Sequence, residues 1–250
     1  MDPQVVFVHG IRTSATMWRA QVAHLQARGV APHAIDLPGH GSRMAEPWSL
    51  EEAVATIDRA VRAAAERGPV VLVGHSMGGL LSTAYVGRAG AAPPVAAFVA
   101  ASCTAFPRGA GLAAYRLVLR GMRGLPHQGR WVIDRALAAQ LPPGTRGDFG
   151  AGGYALQAED EALESLQSLD LARALVRIER RQFPVWFFTG EWDQLRLNER
   201  TFTRLVPRAE LVVVPRSTHL VTAMRPAVTN ALVDLVLATV AARGDRKRTC

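Results

Sequence analysis

The stretch PVVLVGHSMGGLLSTAYVGR, residues 69–88, sets a serine between glycines at the point where one hydrophobic period gives way to another. Residues 70–73 are continuous, apolar and mostly β-branched, which predicts a buried strand. Residues 78–88 carry apolar side chains at helical spacing. The join, GHSMGG, has the form G-x-S-x-G, a sharp strand-to-helix turn that lifts a serine out of a sheet. With 22 glycines and nine serines in 250 residues, chance supplies about 0.07 copies of that form. Alone the motif decides little, because Ser76 could equally cap a helix in a tight glycine turn. The surrounding chain has to discriminate.

Outward from this turn, apolar runs alternate with helical patterns, the layout of a parallel sheet with helices on both faces. Strands are predicted at 4–8, 30–35, 95–101, 185–189 and 210–214, besides the one at 70–73. Helices are predicted at 15–28 and 50–67, the second opened by the capping box Ser49-Leu50-Glu51-Glu52. A last helix begins at Pro226, a position suited to proline. The rhythm breaks after residue 101, where about 80 residues precede the next strand. They read as helical pieces at 112–125, 129–141 and 159–181, separated by PPG at 142–144 and GDFGAGGY at 147–154. The dense glycine predicts flexible joints. The helix at 112–125 could line an apolar pocket, but an apolar stripe at helical spacing reads first as core packing.

A serine hydroxyl is a weak nucleophile and needs a base, and the base needs a group to orient it. Asp193 in VWFFTGEWDQL and His219 in VVVPRSTHLV each lie just beyond the end of a predicted strand. That is the edge where parallel sheets place their ligands, and Ser76 emerges at the same edge. The order Ser76, Asp193, His219 is the one that the serine turn requires. Bland readings exist for both partners, a surface aspartate in a turn and a strand-end histidine. Backbone donors for an oxyanion would be the amide of Met77, next to the serine, and that of Ile11, beyond His9-Gly10 at the end of the first strand. Gly74 and Gly78 give the turn room, and His9 and His75 read as structural neighbours of tight turns. His24 and His40 have no partner pattern and are expected in solvent or in caps.

Composition narrows the class. The chain is 49% hydrophobic and 20% charged, ample for a single large core with an insertion. No basic leader precedes an apolar segment and no run of 18 uninterrupted apolar residues occurs, so a cytoplasmic protein without a membrane span is expected. Two cysteines, Cys103 and Cys250, are too few for a disulfide framework or a cysteine metal site. The net charge of +8 comes almost wholly from arginine, with Lys247 the single lysine. Residues 105–147 hold seven arginines against one acid, Asp134. No nucleic-acid module accompanies this excess, and solvated arginines with a basic tail are the simpler reading.

Together FVHG, DLPGHG, GHSMGG, GEWDQL and the histidine preceding a proline-started helix resemble the α/β-hydrolase superfamily over nearly the whole chain. The resemblance implies an α/β-hydrolase fold with about six mostly parallel strands flanked by helices, without an N-terminal antiparallel hairpin. It implies a core of residues 1–103 and 183–250 and a helical cap inserted at 104–182. Ser76 becomes the nucleophile, His219 the general acid/base, Asp193 its orienting acid, and Ile11 and Met77 the oxyanion donors. Serine at the elbow argues against the branches that use a carboxylate nucleophile. The opening HGIRTSATMW, closed by Trp18, is similar to the compact plant-type methylesterase and hydroxynitrile lyase group. Gly10 and Leu220 stand where the lyases carry threonine and lysine, which favours hydrolysis. STHL replaces the glycine that many relatives carry before the histidine. The expected activity is cleavage of a small or medium carboxylic ester, lactone or thioester, with a small-molecule acyl substrate and no metal or organic cofactor. C–C bond hydrolysis of a diketone-like metabolite and a weakly catalytic small-molecule receptor are the alternatives.

Overall fold

Strands whose side chains are apolar at consecutive positions must be covered on both faces, and that requirement sets the architecture. The computed structural model describes residues 2–248; Cys250 and the side chains of the basic tail lie outside the described residues. The strands are β1 (Gln4–Val8), β2 (Ala31–Ile35), β3 (Val70–His75), β4 (Ala97–Ala101), β5 (Val185–Gly190) and β6 (Glu210–Val214). They form one six-stranded sheet in the order β2-β1-β3-β4-β5-β6, parallel at every junction.

The first helices are α1 (Arg19–Gln26), α2 (Leu50–Ala65) and α3 (Met77–Val86). Ser49 caps α2 by accepting the Glu52 amide, as its capping box predicts. Residues 15–18, expected as the first turn of α1, form a separate 3-10 turn capped by Ser14. Between β4 and β5 lie α4 (Gly109–Arg123), α5 (Arg130–Gln140), α6 (Pro143–Gly150), α7 (Glu159–Ser165) and α8 (Leu171–Glu179). The chain ends with α9 (Glu199–Leu205), α10 (Val221–Met224) and α11 (Pro226–Arg248).

Two departures from expectation fall in the long insertion. The glycine-rich joint at 142–154 contains a helix, α6, because Pro142 and Pro143 preset the backbone of a first turn. Long-range hydrogen bonds fix it: Thr13 donates to the Phe149 carbonyl at 2.9 Å and Thr16 to that of Asp148 at 2.7 Å, and Thr145 of the helix donates to the Ala223 carbonyl at 2.7 Å. The single helix expected at 159–181 is broken into α7, a short 3-10 turn and α8. Asp170 causes the break by accepting the Arg173 amide and starting a new helix.

The strand pleat sends alternate residues into two cores. Val6, Leu72, Phe98 and Phe187 pack with Ile57, Leu81, Leu175 and Phe202 from α2, α3, α8 and α9. Val5, Phe7, Val73 and Trp186 pack with Trp18, Leu25, Val233 and Val236 on the other face. The stretch Pro226–Gly244 of α11 is long and apolar enough by composition to cross a membrane. In this fold its Leu232, Val233, Val236 and Val240 cover the sheet. The chain leaves β1 towards one edge and returns through β3 towards the other, so the direction of winding reverses between β1 and β3. The crevice at the carboxyl ends of those two strands is where such sheets bind ligands.

Candidate active site

Ser76 stands at that crevice, between β3 and α3, with φ 53° and ψ −118°. A non-glycine residue held there costs on the order of 1–3 kcal/mol and persists only where its surroundings over-determine it. They do so here: the Ser76 amide donates to Ala101 at 2.8 Å, and the Ser76 carbonyl accepts from Leu80 at 3.0 Å. The glycines are needed for close approach. A Cβ on Gly74 would lie 2.5 Å from the Gly78 carbonyl oxygen, and one on Gly78 would lie 2.4 Å from that of His9. The Ser76 side chain makes no cap hydrogen bond to α3, so the helix-cap reading of this serine is not what the chain adopts.

His219 Nε2 lies 2.9 Å from Ser76 Oγ, and His219 Nδ1 lies 2.9 Å from Asp193 Oδ1. The three residues that the sequence places at separate strand ends thus form one hydrogen-bonded run. Two loops are zipped together to achieve this. Glu191 donates to Val214 at 2.9 Å and Trp192 to Ser217 at 2.8 Å, and a Cβ on Gly190 would sit 2.3 Å from the Ser217 and Thr218 oxygens. The Thr218 hydroxyl donates to the Gln140 side-chain carbonyl at 2.7 Å and so links the loop to α5. Asp193 has a fully buried side chain. Burial works to raise its carboxyl, but hydrogen bonds from His219 and the Leu195 amide outweigh it and hold the group down at about 2. Thr189 donates to its second oxygen at 3.2 Å. With Asp193 ionised, His219 carries its proton on Nδ1, which leaves Nε2 free to accept from Ser76.

Four other histidines are held by the fold, two of them in ways the sequence does not anticipate. The Leu37 amide donates to His9 Nε2 at 3.1 Å, so His9 Nδ1 donates to the Gly10 carbonyl at 2.7 Å. Burial, aided by His40, pushes His9 down to about 3. His75 donates from Nε2 to the His219 carbonyl at 2.9 Å, and burial, then His219, push it down to about 3. Neither ring is protonated near neutrality. His40, expected in solvent or in a cap, is fully buried, with its ring centroid 5.0 Å from His9 and 5.8 Å from Trp48. His24 has a partner after all, Asp234 at 3.0 Å across 210 residues.

Two cavities open on Ser76. The larger, about 220 Å³, is lined by Ile11, Met77, Leu80, Tyr115, Leu163 and Leu197 among others. The smaller, about 140 Å³, lies on the His219 side, against Phe149, Tyr154 and Leu220. Ile11 borders both. Neither the Ile11 nor the Met77 amide donates to a backbone carbonyl among the described residues, and Met77 opens α3, where unpaired amides favour negative charge. The helix α4 does both things the sequence left open: Leu112 and Tyr115 line the larger cavity, and Leu119 is buried in the core. Its arginines are not a free anion-binding face, since Arg116 pairs with Glu164 and both Arg120 and Arg123 pair with Asp160. Cys103 borders the larger cavity, but burial pushes its thiol well up, away from thiolate chemistry. Among the described residues no group of three or more His, Cys, Asp or Glu side chains is placed to hold a metal ion. The sequence gives no hint of one polar pair beside the site, Arg12 with Glu159, which are 147 residues apart.

Known proteins agree with this architecture. A carboxylesterase of the thaumarchaeon Nitrososphaera gargenis superposes with a TM-score of 0.77 at 16% identity, covering 97% of this chain and 92% of its own. An E-2-(acetamidomethylene)succinate hydrolase superposes with a TM-score of 0.72 at 22% identity, covering 95% and 92%. Likeness at such identities speaks for the fold alone. By sequence, a probable esterase of Oryza sativa subsp. indica, PIR7A, is 45% identical over 78 residues, 30% of each chain. The lipase LipV of Mycobacterium tuberculosis is 35% identical over 80 residues, 32% of this chain and 30% of its own. The matched segments thus span less than a third of these relatives. The model of the alpha/beta hydrolase family matches residues 5–232, and the chain belongs to that family.

Proposed function

We propose that the chain is a serine hydrolase that cleaves a small or medium carboxylic ester, lactone or thioester through an acyl-enzyme on Ser76. The observation that carries this reading is the run from Asp193 through His219 to Ser76, 2.9 Å at each link. Ser76 Oγ attacks the substrate carbonyl carbon while His219 Nε2 takes its proton. The carbonyl oxygen becomes an oxyanion, held by the amides of Ile11 and Met77. His219 gives the proton to the leaving oxygen or sulfur, and the acyl group stays on Ser76. Water then repeats the attack with His219 as base, releasing the acid and restoring the serine. Asp193 holds the imidazole in the required tautomer and balances its charge as it protonates. The steps call for no metal or organic cofactor.

The cavities bear on the substrate. The leaving group must receive its proton from His219, so it occupies the smaller cavity, which that ring borders. The acyl part then lies in the larger one beside Ile11 and Met77. At about 220 Å³ this cavity falls below the ~300–1,000 Å³ of typical ligand pockets. Its apolar walls and modest size favour a short or medium acyl chain. We assign residues 1–103 and 183–250 to the hydrolase core and 104–182 to a cap that shapes both cavities.

A fluorophosphonate probe and a panel of p-nitrophenyl esters test the reading together. Wild-type protein is expected to be labelled on Ser76 and to turn over the shorter esters, and Ser76→Ala to lose both. Ester hydrolysis unchanged in Ser76→Ala would overturn the assignment. Turnover of diketones in preference to matched esters would point to C–C cleavage instead.

A further inference from the structure

The loop that follows β1 carries Ile11, and the residue after it is strained. Arg12 has φ 61°, in the left-handed region that side chains other than glycine avoid. Its guanidinium turns inward to meet Glu159 at the start of α7, with side-chain exposures of 11% for Arg12 and 0% for Glu159. Arg12 Nη2 and Glu159 Oε1 are buried without another hydrogen-bond partner. A buried ion pair left partly unsatisfied adds little stability and is often replaceable by apolar side chains. Fold stability is therefore a poor explanation for its presence. The same loop is held by the insertion at other points, through Thr13 on Phe149, Thr16 on Asp148, and Arg19 on Asp148 at 3.1 Å. Arg12 is the one of these anchors that adjoins Ile11 directly, and it also borders the cavity shared by Ser76 and His219.

We propose that Glu159 is a positioning residue for the oxyanion site, its buried pair with Arg12 fixing the strained backbone that aims the Ile11 amide at the substrate oxygen. The insertion between β4 and β5 then does more than enclose a substrate. It supplies, from outside the strand ends, the clamp that sets one of the two oxyanion donors. Without the clamp Arg12 relaxes from its left-handed conformation and the Ile11 peptide turns. Ser76, His219 and Met77 keep their places, being fixed by β3, α3 and the β6 loop. This inference rests on the proposed acyl-transfer function.

The test compares Glu159→Gln, Arg12→Met and the double variant Arg12→Met/Glu159→Leu with wild type. Thermal unfolding, kcat and KM on p-nitrophenyl butyrate, the rate of fluorophosphonate labelling at Ser76, and inhibition by an aryl trifluoromethyl ketone are measured for each. Deleting an oxyanion donor costs about 10²–10³ in rate, so misaiming one is expected to cost about 10- to 100-fold in kcat. KM should change less than threefold, while labelling rate and ketone affinity fall in parallel with kcat. The double variant removes both charges and is expected to recover thermal stability but not kcat or ketone affinity. Asp234→Asn, which breaks the pairs with His24 and Arg28, should leave kcat, KM, labelling rate and ketone affinity within about twofold, because it touches neither the loop nor either cavity. Recovery of wild-type kcat and ketone affinity in the double variant would overturn the proposal and leave the pair a structural one. Wild-type protein that neither labels on Ser76 nor hydrolyses any ester would instead remove the acyl-transfer reading, and the proposal with it.

Discussion

Replacing Asp193 by asparagine changes one oxygen to an amino group and tests two consequences of the same geometry. The carboxylate accepts from His219 Nδ1 at 2.9 Å, the Leu195 amide at 2.8 Å and the Thr189 hydroxyl at 3.2 Å. His219 and Leu195 donate to one oxygen, Oδ1, and Thr189 to the other, so an asparagine with its carbonyl at Oδ1 keeps the first two bonds but has lost the charge that balances the imidazolium. Turned towards His219, its amino group favours the tautomer with the proton on Nε2, which cannot accept from Ser76. In Ser-His-Asp sites that change lowers kcat by about 10⁴ with the geometry intact, and the same loss is expected here in ester turnover and in labelling of Ser76. The second consequence is a pH-dependent stability. Asp193 is held at about 2 against an ordinary value of 3.8. A depressed carboxyl stabilises the fold above its unfolded value, and the stabilisation disappears as pH falls through the folded value. The shift corresponds to about 2 kcal/mol, present at pH 6 and largely gone at pH 2. Other carboxylates titrate in this window, so the difference between the two proteins is the informative quantity. Urea unfolding at both pH values should find the stability advantage of wild type over Asp193→Asn wider by about 2 kcal/mol at pH 6. A variant retaining kcat within tenfold of wild type would refute Asp193 as the orienting acid. A pH-independent stability difference would refute the account of its depressed pKa.

Gly78→Ala pushes a methyl group against the Val8 and His9 carbonyl oxygens, 2.6 and 2.4 Å from an ideal Cβ. It is expected to cost about 3 kcal/mol in urea unfolding and to abolish Ser76 labelling, because the overlap is with backbone that cannot step aside. His75→Phe keeps an aromatic ring but removes the donor to the His219 carbonyl. A loss of about 1 kcal/mol in stability and about tenfold in kcat should follow, with KM little changed. Leu163→Trp fills part of the larger cavity. Each methylene excluded from it costs about 0.8 kcal/mol, roughly fourfold in kcat/KM, so octanoyl esters should lose far more than acetyl esters when the series is assayed.

Much of this is legible in the sequence, and the reason is topological. In a parallel sheet, residues just past strand carboxyl ends meet at one edge whatever lies between the strands. Six apolar runs and the turn at Ser76 therefore suffice to bring Ser76, Asp193, His219 and Ile11 to a common place. The misread residues are those whose surroundings come from far along the chain. PPGTRGDFG reads as a joint because its glycines and prolines disfavour helix, yet α6 forms there. Contacts from Thr13, Thr16 and the Ala223 carbonyl override the local propensity. His40 looks like a loop histidine until His9 and Trp48 close over it. Only the break before Leu171 left a readable trace: Asp170 with three residues to Arg173 is an N-cap inside an otherwise continuous helical pattern.

The same contrast separates reaction from specificity in this chain. In the proposed mechanism, the groups that make and break bonds sit on backbone fixed by strand pairing and by glycines that admit no side chain. Part of the wall of the larger cavity comes from elsewhere: Leu112 and Tyr115 on α4, and Leu163 on α7. Besides their buried apolar contacts, these helices are tied to one another by Arg116 with Glu164 and Arg123 with Asp160, and α7 is tied to the loop after β1 by Arg12 with Glu159. The first two lie partly in solvent, and such pairs contribute only about 0–1 kcal/mol each. Substitutions among them can therefore shift a helix and reshape the cavity without disturbing the run from Asp193 to Ser76. A sequence that keeps GHSMGG, Asp193 and His219 can thus change its substrate through α4 and α7 alone, and substrate range should follow the pairs that hold those helices more closely than it follows the elbow.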